Sequence, residues 1–134
     1  MNGVPSVDEL GVVLGGMGTY ERVCSDNVDV LLRWSTAPRR QNSKHLDIDI
    51  VQMQTNPTRS GIGTKFVVNL IEAAKKLDRG VFLEQTITEG SRAWAAKLVR
   101  EELMQPYYLD DNFISVAPDC DISLMSRANR FKVI

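Results

Sequence analysis

The stretch "QTNPTRSGIGTKFVVNLIEAAKKL", residues 54–77, decides how this chain reads. It leaves an alternating strand through Pro57, crosses Arg59-Ser60-Gly61-Ile62-Gly63, and enters an amphipathic helix that opens on small residues. Ile62, Phe66, Leu70, Ala73, Ala74 and Leu77 recur at helical spacing, with Lys65, Glu72, Lys75 and Lys76 outside that stripe. A junction of this kind points unshielded backbone N–H groups and the positive end of a helix dipole at one spot, which suits a phosphate. The bland alternative is that Gly61 and Gly63 only let the chain turn tightly beside a sheet.

Outward from that junction, "HLDIDIVQMQT" (45–55) reads as the strand that feeds it. Leu46, Ile48 and Ile50 are expected on one face, and Asp47 and Asp49 on the other with Val51, Met53 and Thr55. Alternating acids of this kind are ordinarily solvent-exposed. Upstream, "TYERVCS" and "NVDVLLRWST" predict two strands around a turn at Ser25-Asp26-Asn27, and "APRRQNSK" an exposed loop. Residues 1–19 form an abbreviated, glycine-rich region in which "VDELGVVLGG" makes a short helix ending on glycine.

Downstream, Gly80 closes the helix region and "GVFLEQTI" reads as a strand parallel to the first, completing a strand-helix-strand crossover. "SRAWAAKLVREELM" (91–104) predicts a second helix stopped by Pro106, and "YYLDDNFISVA" a hairpin turning at Asp110-Asp111-Asn112. The tail, 119–134, is left unassigned. One α/β domain over residues 1–134 is expected, with a mixed, mainly antiparallel sheet, a central crossover and flanking helices.

Composition narrows the function classes. The 134 residues are 43% apolar and 25% charged, with a formal net charge of -1. That balance gives no global bias toward nucleic acid or an acidic membrane surface. Cys24 and Cys120 form no C-x-x-C pair and His45 is the single histidine, so a structural zinc site is not expected and both cysteines read as reduced thiols. Neither a signal peptide nor a membrane-length apolar run is legible, so the expectation is a soluble cytoplasmic protein. The basic loop of Arg39, Arg40 and Lys44 and the tail's Arg127, Arg130 and Lys132 read as solvated.

"RSGIGTKF" is neither of the familiar nucleotide loops: it lacks the G-x-x-x-x-G-K-[ST] run, and Phe66 stands where a dinucleotide fingerprint needs its third glycine. The order of elements and the glycine turn instead resemble the GCN5-related N-acetyltransferases (GNAT superfamily) over roughly residues 20–118. In that family a turn of the form [RQ]-x-x-G-x-[GA] holds the pyrophosphate of acetyl-coenzyme A, and Gly61, Ile62 and Gly63 match its last three positions. Thr58 stands at the leading position, with the arginine one place later at Arg59. The family's two helices between its first and second strands are absent or reduced here.

This resemblance implies that acetyl-coenzyme A binds at Met53, Gln54 and Thr55, where the strand splays, and at Thr58, Arg59, Ser60, Gly61, Ile62, Gly63 and Thr64. It also implies that Ser91 meets the pantetheine arm and that Trp94 walls the slot, although Ser91 as a helix cap and Trp94 as core are the plainer readings. The family's base falls among Asp49, Asp47 and Glu84, where the plainer role for Glu84 is an ion pair with a covering helix. Its tyrosine acid falls on Leu98, so Tyr107 or Tyr108 would have to serve. The implied reaction is direct attack of an amine, on a small molecule or a protein, without a metal. Two further readings stand beside it: an inactive GNAT-like interaction or assembly module, and a nucleotide-binding module using the same turn. An open sheet edge adds the expectation of a homodimer.

Overall fold

A computed structural model describes residues 3–36, 46–56, 61–84, 89–107 and 112–115. The chain opens with helix α1 (Val7–Gly15), started by a capping box in which Ser6 Oγ accepts from Glu9 N–H and the Glu9 carboxylate accepts from Ser6 N–H. Strands β1 (Tyr20–Cys24) and β2 (Val28–Trp34) follow as an antiparallel pair. Their turn is tied by Ser25, whose hydroxyl donates to the Gly3 carbonyl and accepts from the Asn27 and Val28 N–H groups. β3 (Ile48–Thr55) pairs antiparallel with β2, and helix α2 (Ile62–Lys75) leads to β4 (Val81–Leu83), parallel to β3. Helix α3 (Glu89–Arg100), β5 (Met104–Tyr107) and β6 (Asn112–Ser115) complete the order.

The six strands form one mixed sheet in the order β1-β2-β3-β4-β6-β5, so β6 lies between β4 and the edge strand β5. Among the described strands β3–β4 is the one parallel contact. The expected mixed, mainly antiparallel α/β architecture with a strand-helix-strand crossover is therefore present, and among the described residues it carries three helices.

Alternation along β2 buries Val28, Val30 and Leu32 on one face, where they join Ile48 and Ile50 of β3 and Phe66, Val67 and Leu70 of α2 in a single apolar cluster. Leu10 and Leu14 of α1, Val81 and Leu83 of β4, and Ala95 and Leu98 of α3 belong to the same cluster. Each fully buried Leu, Ile or Phe stabilises the fold by about 1.5–3 kcal/mol relative to exposure. That gain selects this face over its polar reverse.

Several boundaries differ from the sequence reading. α2 stops at Lys75, and the left-handed residue beyond it is Asp78 (φ 56°), not Gly80. The Arg79 N–H then bonds back to the Ala74 carbonyl (2.9 Å), and the buried Gly80 carbonyl accepts from Ile48 N–H (2.9 Å). α3 begins at Glu89 and ends at Arg100, with Glu102 (φ 59°) reversing the chain. Pro106 thus lies inside β5, paired with Phe113, and the hairpin begins at Met104. The described part of the parallel strand is Val81–Leu83, and residues 85–87 of "GVFLEQTI" lie outside the described residues.

The larger correction is in β3. Leu32 pairs with Ile50 and Leu31 with Gln52, so Val51 is an extra residue, a β-bulge. Alternation changes phase across it: Met53 and Thr55 lie opposite Val30 and Val28, on the face of Ile48 and Ile50 and not with Asp49.

Candidate functional site

The bulge and the end of the parallel ladder coincide. β3 pairs with β4 through Ile48, Ile50 and the residue between them, and the last rung is the Glu84 N–H bonding to the Ile50 carbonyl at 3.2 Å. Beyond it, Val51–Thr55 have no strand partner on the β4 side among the described residues. The extra residue bends β3 where the two strands part. The open end of this fork faces the start of α2.

At that start Gly61 takes a left-handed conformation (φ 82°, ψ -2°) and caps α2 with no side-chain hydrogen bond. The first intrahelical bond runs from Lys65 N–H to the Gly61 carbonyl (3.0 Å), which leaves the N–H groups of residues 62–64 without an acceptor in the helix. A Cβ at Gly61 would meet nothing within 4 Å, whereas one at Gly63 would lie 3.5 Å from Met53 Cε, 3.5 Å from Trp94 Cζ2 and 3.6 Å from Thr55 Cγ2. Trp94 of α3 is fixed there by its indole N–H, which donates to Thr64 Oγ1 at 3.0 Å. Met53, Thr55, Gly63, Thr64 and Trp94 are thereby brought together at one corner. Gln54 points to the opposite, exposed side. Thr58, Arg59 and Ser60 lie outside the described residues, as do His45, Tyr108, Cys120 and the basic loop and tail. α3 starts two residues before Ser91, so Ser91 is inside the first turn and is not its cap.

On the other face of the sheet the carboxylates are organised by a residue that sequence reasoning overlooked. Asp47 and Asp49 are buried, 2% and 0% exposed, and not solvated as alternation suggested. Asp49 pairs across the strands with Arg33 of β2, whose Nε donates to Asp49 Oδ2 at 3.3 Å. The Arg33 Nη2 donates to Glu84 Oε1 at 2.6 Å. Glu84 therefore finds its cation on β2, across the intervening strand β3, and not on a covering helix. Its other oxygen, Oε2, is buried and has no hydrogen-bond partner among the described residues. Burial alone would lower the Arg33 pKa. The bond with Tyr20, across the ladder on β1, and the charges of Glu84 and Asp49 outweigh that and hold it above its usual value.

Asp47 sits one step earlier, where its N–H donates to Ser35 Oγ (2.9 Å) and its carbonyl accepts from Ser35 N–H (2.9 Å). Leu98 is fully buried in the core. Tyr107 belongs to β5, remote in strand order from β3. Among the described residues no group of three or more His, Cys, Asp or Glu is arranged to hold a metal ion, and no helix is long and apolar enough to cross a membrane. The corner at α2 and the Arg33 cluster flank the same fork, because Glu84 forms its last rung. Comparison with protein-family models, curated proteins and solved structures found no match to this chain.

Proposed function

We propose that this chain is a small N-acetyltransferase resembling the GCN5-related superfamily, which binds acetyl-coenzyme A at the fork between β3 and β4 and transfers its acetyl group to an amine. The observation that carries this reading is the coincidence at one place of the bulge at Val51, the end of the parallel ladder at Ile50, and the uncapped, glycine-led start of α2. A phosphate fits that start, since N–H groups with no acceptor in the helix and the helix dipole both favour an anion. Gly61 leaves open space for it.

Bound there, acetyl-coenzyme A supplies an acyl group activated as a thioester. The chain's own part is to hold the pyrophosphate on the N–H groups of residues 62–64 and to offer the unpaired edge of Val51–Thr55 to the carbonyl oxygen. The acceptor amine must also lose a proton as its nitrogen attacks. Glu84, with Oε2 unpartnered beside the fork, is suited to take that proton, whereas Asp49 is engaged by Arg33 and fully buried.

A second reading, an inactive module of the same fold, is favoured by Leu98, which fills the place of the family's tyrosine acid and is buried in the core. Calorimetry with acetyl-coenzyme A, beside Gly61→Trp, separates the two. Micromolar binding that is lost in a folded Gly61→Trp variant supports the transferase. A folded wild type that binds nothing sinks it and leaves the module.

A further inference from the structure

Resting on that reading, we infer that Arg33 is a positioning residue: it anchors Glu84 by one carboxylate oxygen so that the other is aimed at the acceptor amine. Three observations converge. Arg33 spans two strands by gripping Asp49 at 3.3 Å and Glu84 at 2.6 Å through different nitrogens, so the planar guanidinium has a fixed orientation. Asp49 is fully buried, which makes it the immobile end of the tether. Glu84 Oε2 is buried without a partner among the described residues, although a carboxylate oxygen out of water ordinarily acquires one.

The arrangement divides the labour between two acids that alternation and position alone leave equivalent. Asp49 holds Arg33, Arg33 holds Glu84 Oε1, and Glu84 Oε2 accepts the proton as the amine nitrogen bonds to the acetyl carbon and the carbon–sulfur bond breaks, with coenzyme A leaving as its thiolate and taking a proton from water. Among the described residues, the charged or titratable groups on this cluster are Arg33 and Tyr20 beside Asp49 and Glu84.

The test is thiol release from acetyl-coenzyme A with butylamine as acceptor, resolved into kcat and KM for wild type, Glu84→Gln, Arg33→Gln, Arg33→Lys and the double variant Arg33→Gln/Glu84→Gln. Acetyl-coenzyme A binding by calorimetry is read in parallel. Glu84→Gln should lose about 100-fold or more in kcat/KM, as expected for a lost general base. Arg33→Gln should lose nearly as much, and the double variant should be no slower than Glu84→Gln. Arg33→Lys keeps the charge beside buried Asp49, but not the two-way fork. It should fold, bind acetyl-coenzyme A as wild type does, and fall about tenfold in kcat.

Losses that multiply in the double variant, or an Arg33→Gln enzyme with the kcat of wild type, would overturn the positioning role. If Arg33→Gln does not fold, an Arg33→Lys enzyme with unchanged kcat overturns it instead. A wild type that binds no acetyl-coenzyme A removes the transferase reading and the tether's role together. Binding and turnover with multiplying losses remove the tether alone.

Discussion

The motif reading treats Gly61 and Gly63 as one pair of small residues, but their backbones require opposite outcomes on substitution. Gly61 has φ 82°, and a Cβ there meets nothing within 4 Å. Gly61→Ala therefore pays no packing cost, and its whole penalty is that of an L-residue in the left-handed region, about 1–2 kcal/mol. Gly63 has ordinary helical geometry, and its added methyl meets Met53, Trp94 and Thr55 at 3.5–3.6 Å, ordinary contact distances. Alanine there gains helix propensity worth up to about 1 kcal/mol. The two variants should differ by about 2 kcal/mol. With a urea slope of about 1.5–2 kcal/mol/M, that places their midpoints about 1 M apart, Gly61→Ala below wild type and Gly63→Ala at or slightly above it. Gly61→Asn should recover part of the loss, because asparagine tolerates this conformation. Equal midpoints for the two alanine variants, or a larger loss at Gly63, would refute the assignment of the strain to Gly61.

Ser6→Ala removes the reciprocal capping box of α1 and should cost about 1 kcal/mol by urea unfolding, while Ser6→Asp should retain most of it. The hydrogen bond from Arg22, with its charge, holds the Asp29 carboxyl below its ordinary 3.8, so its contribution is complete above that pH and is lost as pH falls through the lower folded midpoint. Carboxyl NMR should show this midpoint rising in Arg22→Gln, and an unmoved midpoint would remove the pair from the account. Deleting Val51 leaves Gln52, Met53, Gln54 and Thr55 on their present faces opposite β2, so the variant should fold with a cooperative transition. It should bind acetyl-coenzyme A at least tenfold more weakly, because β3 then runs straight. An unfolded product would contradict the register.

How far this was legible can be judged at particular residues. The stripe from Ile62 to Ala74 and the alternation of Val28, Val30 and Leu32 each have one periodicity and one buried face, and both were readable before any coordinates. The ends were less so, because local geometry decided them: Asp78 and Glu102, not a glycine or proline, took the left-handed positions that stop α2 and reverse the chain after α3. The bulge did leave a trace, since apolar Ile50 and Val51 are adjacent and break the alternation of "DIDIVQMQT". Read as a change of phase, that doublet would have put Met53 and Thr55 on the core side. Arg33 left a weaker trace as a lone charge between Leu32 and Trp34. Its partners are 16 and 51 residues away in sequence, and such pairings emerge only from strand order.

Strand order also makes the two borders of the sheet unequal. β5 continues its ladder with β6 through Pro106 and Tyr107, so the proline, having no N–H to give, occupies a pair in which its nitrogen faces away from β6. The outer margin of β5 is thus missing a donor in the middle of a four-residue strand, and an added strand would find a gap there. β1 keeps an N–H at every position from Tyr20 to Cys24 and is guarded by the charges of Glu21 and Arg22. Growth of this sheet by strand addition, whether by a second copy or in aggregation, is directed to the β1 margin, and a proline at Arg22 would close it.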